Sequence, residues 1–112
     1  MIDQVRPADL PAWFQSQGGT GATVLDVREP GELRTAAIRA DGFALVTIPM
    51  MDVPVRLAEL EPGQPVAVLC HHGARSQRVA MFLAGHGFER IANIAGGIDL
   101  WSQELDPGVP RY

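Results

Sequence analysis

The single cysteine of the chain, Cys70, opens the run Cys70-His71-His72-Gly73-Ala74-Arg75-Ser76, directly after the apolar tetrapeptide Val66-Ala67-Val68-Leu69. A cysteine attacks as its thiolate, and the residue types behind Cys70 are those that stabilise one. Gly73 lets the backbone turn tightly, so that successive N–H groups of the loop, Ala74 included, face a common centre and form a concavity suited to an anion. Arg75 brings a permanent charge on a planar fork that matches a sulfonate, sulfate or phosphate. Ser76 is expected to cap the next helix through its hydroxyl and to offer a ligand a hydrogen bond. His71 and His72 rim the loop, where they shape access and add positive potential when protonated. Cys70 is therefore the candidate nucleophile, and His71, His72, Gly73, Ala74, Arg75 and Ser76 are the candidate binding residues. The electrophile would be the sulfur, phosphorus or arsenic of a small anion.

A cysteine after an apolar strand is by itself often a small buried hydrophobe. The glycine, the arginine and the start of a helix directly behind it are what point to chemistry. A metal centre is not expected. Three adjacent residues do not converge readily on one tetrahedral ion, and neither Cys-x-x-Cys nor His-x-x-x-His spacing occurs in the chain. No diffusible cofactor is called for either.

The elements needed to hold this loop are legible around it. Val66–Leu69 reads as a short buried strand, and a helix is expected from Arg75-Ser76 onward. It carries Val79, Phe82, Leu83 and His86 at i, i+3, i+4 and i+7, with Gly87 as its stop. Cys70 then lies at the carboxyl end of a strand, where open α/β sheets carry their sites. It also faces a helix amino terminus, whose free N–H groups and dipole favour an anion. Further strands are expected at Gln4–Arg6, Thr23–Val27, Leu45–Ile48 and Ile91–Ile94. Helical stretches are expected after Pro7 (Leu10, Trp13, Phe14), around Glu29–Leu33, from Asp52 to Leu60 and from Gly97 to Glu104. Asp26 and Arg28, at the end of the Thr23–Val27 strand, could reach the same rim, with Asp26 fixing loop geometry and Arg28 leaning toward the site. Strands alternating with short helices imply an α/β fold, a mostly parallel sheet of about five strands with helices on both faces. The whole of 1–112 reads as one domain, with residues 105–112 extended on the surface or loose.

Composition bounds the function classes. Hydrophobic residues make up 46% and charged ones 20% of 112 residues, an ordinary balance for one globular core. The net charge of −4 argues against general binding to nucleic acid or membrane surfaces, although every basic residue is Arg. No apolar run approaches the ~20 residues that span a bilayer. Met1-Ile2-Asp3-Gln4 has neither the basic start nor the apolar core of a secretory signal, and one cysteine builds no disulfide framework. A cytoplasmic setting is expected.

The Cys70–Ser76 run resembles the active-site loop of the rhodanese (thiosulfate sulfurtransferase) family, Cys-x-x-Gly-x-Arg-Ser/Thr. Leu25-Asp26-Val27-Arg28-Glu29 resembles the family's Asp-x-Arg segment, and Ala95-Gly96-Gly97-Ile98-Asp99-Leu100-Trp101 its closing Gly-Gly-x-x-x-Trp motif. The chain departs from the family at Ala37, where a Gly-His-Ile step commonly has His, so the Arg39–Phe43 loop is expected to be rearranged. The resemblance implies sulfur transfer by double displacement through a Cys70 persulfide, with Arg28 near the active site. Its partners would be a small anionic sulfur donor, a thiol acceptor and a protein of a sulfur relay. Two other classes stay open. One is a persulfide carrier or binding module; the other is a small cysteine phosphatase or arsenate reductase. The four residues between Cys70 and Arg75 weigh against the latter, because phosphatases that resemble this fold use Cys-x5-Arg.

Overall fold

Strand β4 (Val66–Leu69) lies at the centre of a five-stranded sheet in the computed structural model, which describes residues 2–112. The others are β1 (Asp3–Val5), β2 (Thr23–Asp26), β3 (Ala44–Thr47) and β5 (Ile91–Ile94), in the order β1-β5-β4-β2-β3. Every neighbouring pair runs parallel. A parallel sheet buries both faces, which is why β4 and β5 read as unbroken apolar runs apart from Asn93.

Side chains of a strand alternate between the two faces, and here they feed two separate cores. Val66, Val68 and Cys70 pack with Val79, Ala80 and Leu83 of α3 (Ala74–Ala84). Ala67 and Leu69 point the other way, toward Leu10, Trp13 and Phe14 of α1 (Leu10–Ser16) and Ile98 and Trp101 of α4 (Gly97–Glu104). The alternation sets the direction of Cys70, whose side chain faces α3. The expected α/β architecture, with helices on both faces, is what forms.

Several boundaries differ from the sequence expectation. Helix α3 starts at Ala74 and gives way at Gly85; Gly87, with φ +90°, makes the turn after it, and His86 is exposed there. Asp52–Leu60 is not a helix. Pro54 removes a backbone donor, and the segment closes only two 3-10 turns, Met50–Asp52 and Leu57–Glu59. The short helix α2 spans Pro30–Thr35 and is set by a capping box in which Glu29 and Glu32 each accept the other's backbone N–H. The closing segment is neither loose nor wholly extended. It turns at Asp106–Val109, Val109 is buried, and the Ser102 hydroxyl donates to the Val109 carbonyl. Among the described residues no helix is long and apolar enough to cross a membrane.

Candidate active site

Cys70 follows the last residue of β4 and is only 1% exposed. Its Sγ accepts the Gly73 backbone N–H at 3.0 Å and lies 3.2 Å from Ser76 Oγ. Gly73 makes this contact possible. It is the N-cap of α3 with φ +108°, and a Cβ there would come within 3.3 Å of the Gly96 nitrogen. The expected helix cap, Ser76, instead sits inside the first turn, fully buried. Its hydroxyl donates to Asn93 Oδ1 at 2.5 Å, on the strand beside β4.

Asn93 takes the slot on β5 that alternation directs toward α3. Its Nδ2 donates to the Gly73 carbonyl at 3.2 Å and to Gln4 Oε1 at 2.9 Å. One buried amide therefore holds both groups that touch the thiol, Ser76 and Gly73. Helix α4 holds the other side of the loop: the Ile98 N–H donates to the Cys70 carbonyl at 2.9 Å and the Asp99 N–H to that of His71 at 3.2 Å. Gly97 allows this approach, because a Cβ on it would lie 2.5 Å or less from those two carbonyl oxygens. With the carbonyls turned toward α4, the backbone N–H groups of His71, His72, Ala74 and Arg75 have no acceptor among the described residues. They are available to an anion at the loop.

The charged residues are arranged in pairs. Arg75 points both arms of its fork at Glu32, Nη1–Oε1 2.5 Å and Nη2–Oε2 2.7 Å. That contact holds the Glu32 carboxyl down to about 2 and raises the Arg75 guanidinium further. Arg28, expected to lean toward the anion, is placed elsewhere. It is fully buried, pairs with Asp26 through Nε–Oδ1 at 2.9 Å and Nη2–Oδ2 at 2.7 Å, and gives Nη1 to the Ala36 carbonyl at 2.8 Å. Its role is to tie β2 to the chain after α2.

Tyr112, in the segment expected to lie extended on the surface or loose, is held by specific contacts. Its hydroxyl donates to Glu32 Oε2 at 2.7 Å and accepts from Arg28 Nη1 at 3.1 Å, and its ring stacks on His71 at 3.8 Å with a 6° tilt. Partial burial pushes the Tyr112 phenol up, the Arg28 hydrogen bond opposing this and the Glu32 one adding to it, so it is a proton donor at neutral pH. His72 also stacks on His71, with ring centroids 3.8 Å apart. Arg111 pairs with Asp99 at 2.9 Å and completes the attachment of this segment beside the loop.

His71, His72 and Asp99 offer one ligand atom each within 4.8 Å of one another, and His71 Nε2 is buried without a partner. The two imidazoles are stacked on each other with an interplanar angle of 27°, and the Asp99 carboxylate is engaged by Arg111. The donor set suits a stack better than an ion.

Of the residues singled out in the sequence, the structure brings Gly73 and Ser76 against the Cys70 thiol, stacks His71 with His72 on the same loop and pairs Arg75 with Glu32. Sequence reasoning missed Asn93, Glu32, Gly97 and Tyr112. Asn93 carried a usable signal, a lone polar residue in an apolar strand.

Comparison with known proteins gives one consistent family. The model of the rhodanese-like domain matches residues 10–104. A rhodanese-like/PpiC domain-containing protein 12 of Arabidopsis thaliana, chloroplastic, is 37% identical over 93 residues; the match covers 81% of this chain but only 30% of the plant protein. A thiosulfate sulfurtransferase GlpE of Pseudomonas syringae is 34% identical over 91 residues, 81% of this chain and 82% of that one. The crystal structure of a rhodanese-related protein from Thermoplasma volcanium superposes with a TM-score of 0.77 at 32% identity, covering 99% of this chain and 100% of that one.

Proposed function

Because the chain belongs to the family of rhodanese-like domains and has sulfurtransferase relatives, we propose that it transfers sulfane sulfur through a persulfide on Cys70. The observation that carries the proposal is the thiol at the end of β4, bonded to the Gly73 N–H at 3.0 Å and bordered by loop amides with no other acceptor. In the first step the Cys70 thiolate attacks the outer sulfur of thiosulfate or a persulfide. The new bond is Cys70 Sγ–S, the donor's S–S bond breaks, and sulfite or a thiolate leaves with the electron pair. The loop N–H groups stabilise the anionic outer sulfur left on Cys70. In the second step a thiophilic acceptor, cyanide in an assay or a cellular thiol, attacks that sulfur and returns Cys70 as a thiolate. No metal or cofactor takes part in either step.

Covalent transfer of this kind gives ping-pong kinetics. Initial rates of thiocyanate formation at several donor and cyanide concentrations should give parallel double-reciprocal lines. Intersecting lines would overturn the two-step scheme.

The 1% exposure of Cys70 favours a second reading, a persulfide carrier that shields its sulfur and releases it to a protein acceptor of a sulfur relay. That reading requires a stable Cys70 persulfide with slow release to cyanide. The four-residue spacing from Cys70 to Arg75 supports sulfur over phosphoryl transfer, as the smaller ring of amides suits a single sulfur atom.

A further inference from the structure

Thiosulfate carries two negative charges and its sulfonate has to be placed beside the loop, yet the arginine of the loop and two arginines that bear on its neighbouring segments are each matched by a carboxylate. Arg28 is matched by Asp26, Arg111 by Asp99, and Arg75 by Glu32. Arg75 is the one on the loop itself, and its fork is taken in bidentate fashion by Glu32. Glu32 is in turn held by two further contacts. The Glu29 backbone N–H donates to its Oε1 at 3.1 Å, and the Tyr112 hydroxyl donates to its Oε2 at 2.7 Å. A carboxylate fixed by a guanidinium, an amide and a phenol does not move aside without losing several charge-assisted hydrogen bonds.

We infer that Glu32 determines the donor class of this site: by occupying both arms of Arg75 it leaves a neutral rim that selects persulfides without an oxyanion head over thiosulfate. The inference rests on the sulfurtransfer reading above. In the selected reaction the Cys70 thiolate attacks the outer sulfur of R–S–SH, forming Cys70–S–SH and expelling R–S− with the electron pair of the broken S–S bond. This needs no cation for a leaving sulfite, only the loop amides. Tyr112 acts as a positioning residue that holds Glu32 against Arg75.

The test compares kcat/KM for thiosulfate with that for a persulfide without an oxyanion head, N-acetylcysteamine persulfide, in the full chain. Glu32→Gln keeps the capping box, since Gln serves at that position, but removes the charge that neutralises Arg75. It should raise the thiosulfate-to-persulfide ratio about tenfold, the scale of one charge-assisted hydrogen bond to an anion. Tyr112→Phe retains the ring and should move the ratio in the same direction by less. Adding Arg75→Gln to Glu32→Gln should remove the gain. A ratio unchanged in a folded Glu32→Gln protein would overturn the inference, as would a gain that persists without Arg75. If neither donor leaves sulfur on Cys70 in the unsubstituted protein, the sulfurtransfer reading fails and this inference with it. Sulfur on Cys70 with an unmoved ratio refutes the donor class alone.

Discussion

Asn93 accepts the Ser76 hydroxyl at 2.5 Å while its amide nitrogen donates to the Gly73 carbonyl, so a residue on a neighbouring strand fixes the loop that touches Cys70 Sγ. A buried amide with all of its partners in place rigidifies what it bonds, and deleting it leaves those partners unsatisfied. Asn93→Ala should cost about 1–3 kcal/mol of stability by denaturant unfolding. The freed loop should also expose the thiol, so that iodoacetamide labels Cys70 faster than in the unsubstituted protein. An unchanged labelling rate would show that Asn93 supports the fold without holding the loop.

Gly97 and Gly96 are adjacent glycines with positive φ, and they are not equivalent. A Cβ at Gly97 would press on the carbonyl oxygens of Cys70 and His71, which are backbone and cannot rotate away. At Gly96 the nearest atoms it would meet belong to the Leu100 side chain, from 2.6 Å outward. Gly97→Ala should therefore destabilise by more than the ~1–3 kcal/mol of a strained backbone alone, and by more than Gly96→Ala. Equal urea midpoints for the two variants would contradict the packing of α4 on the loop.

Arg28 and Asp26 form an ion pair with essentially no exposure. Truncating one partner strands the other charge in the core, so Arg28→Ala should cost about 3–5 kcal/mol. Arg56→Ala, which breaks a surface pair with Glu59, should leave the melting temperature almost unmoved. A small loss on truncating Arg28 would mean that the pair is not as dry as it is placed.

The Glu32–Arg75 pair makes stability depend on acid. The Arg75 hydrogen bonds hold Glu32 at about 2 in the folded chain, below the ~4.3 of a free glutamate. The unfolded chain takes up the proton first. The contribution is therefore complete above pH ~4.5 and is lost as pH falls toward about 2. Its size is at most about 3 kcal/mol, reduced by screening because Arg75 stays 31% exposed. Glu32→Gln should flatten the stability profile in that window, measured by urea unfolding at several pH values. An identical slope in both proteins would remove the pair from the account.

The parts that were legible in the sequence are those that depend on local pattern. The apolar tetrapeptide Val66–Leu69, the Gly73 turn and the helical spacing of Val79 and Leu83 placed Cys70 at a strand end facing a helix, and all three are observed. Arg75 and Glu32 lie 43 residues apart, and Tyr112 reaches Glu32 across 80. No periodicity encodes such contacts; they follow from which strand lies beside which. For the same reason Arg28 looked available at the end of β2, although the Ala36 carbonyl just after α2 and the Tyr112 hydroxyl from the chain's closing segment take up its guanidinium. Asn93 is an intermediate case. Its polarity in Ile91-Ala92-Asn93-Ile94 marked a buried polar group, but its partners depended on β5 pairing with β4.

The central claim is that Cys70 carries the sulfur, and intact mass tests it most directly. The protein and its Cys70→Ser variant, whose hydroxyl fits the same space, would each be incubated with thiosulfate or with N-acetylcysteamine persulfide, and then with cyanide. The account predicts a gain of one sulfur atom on the unsubstituted protein, its removal by cyanide with formation of thiocyanate, and no gain on the variant. Sulfur carried equally by the Cys70→Ser protein, or by neither protein with any donor, would contradict it.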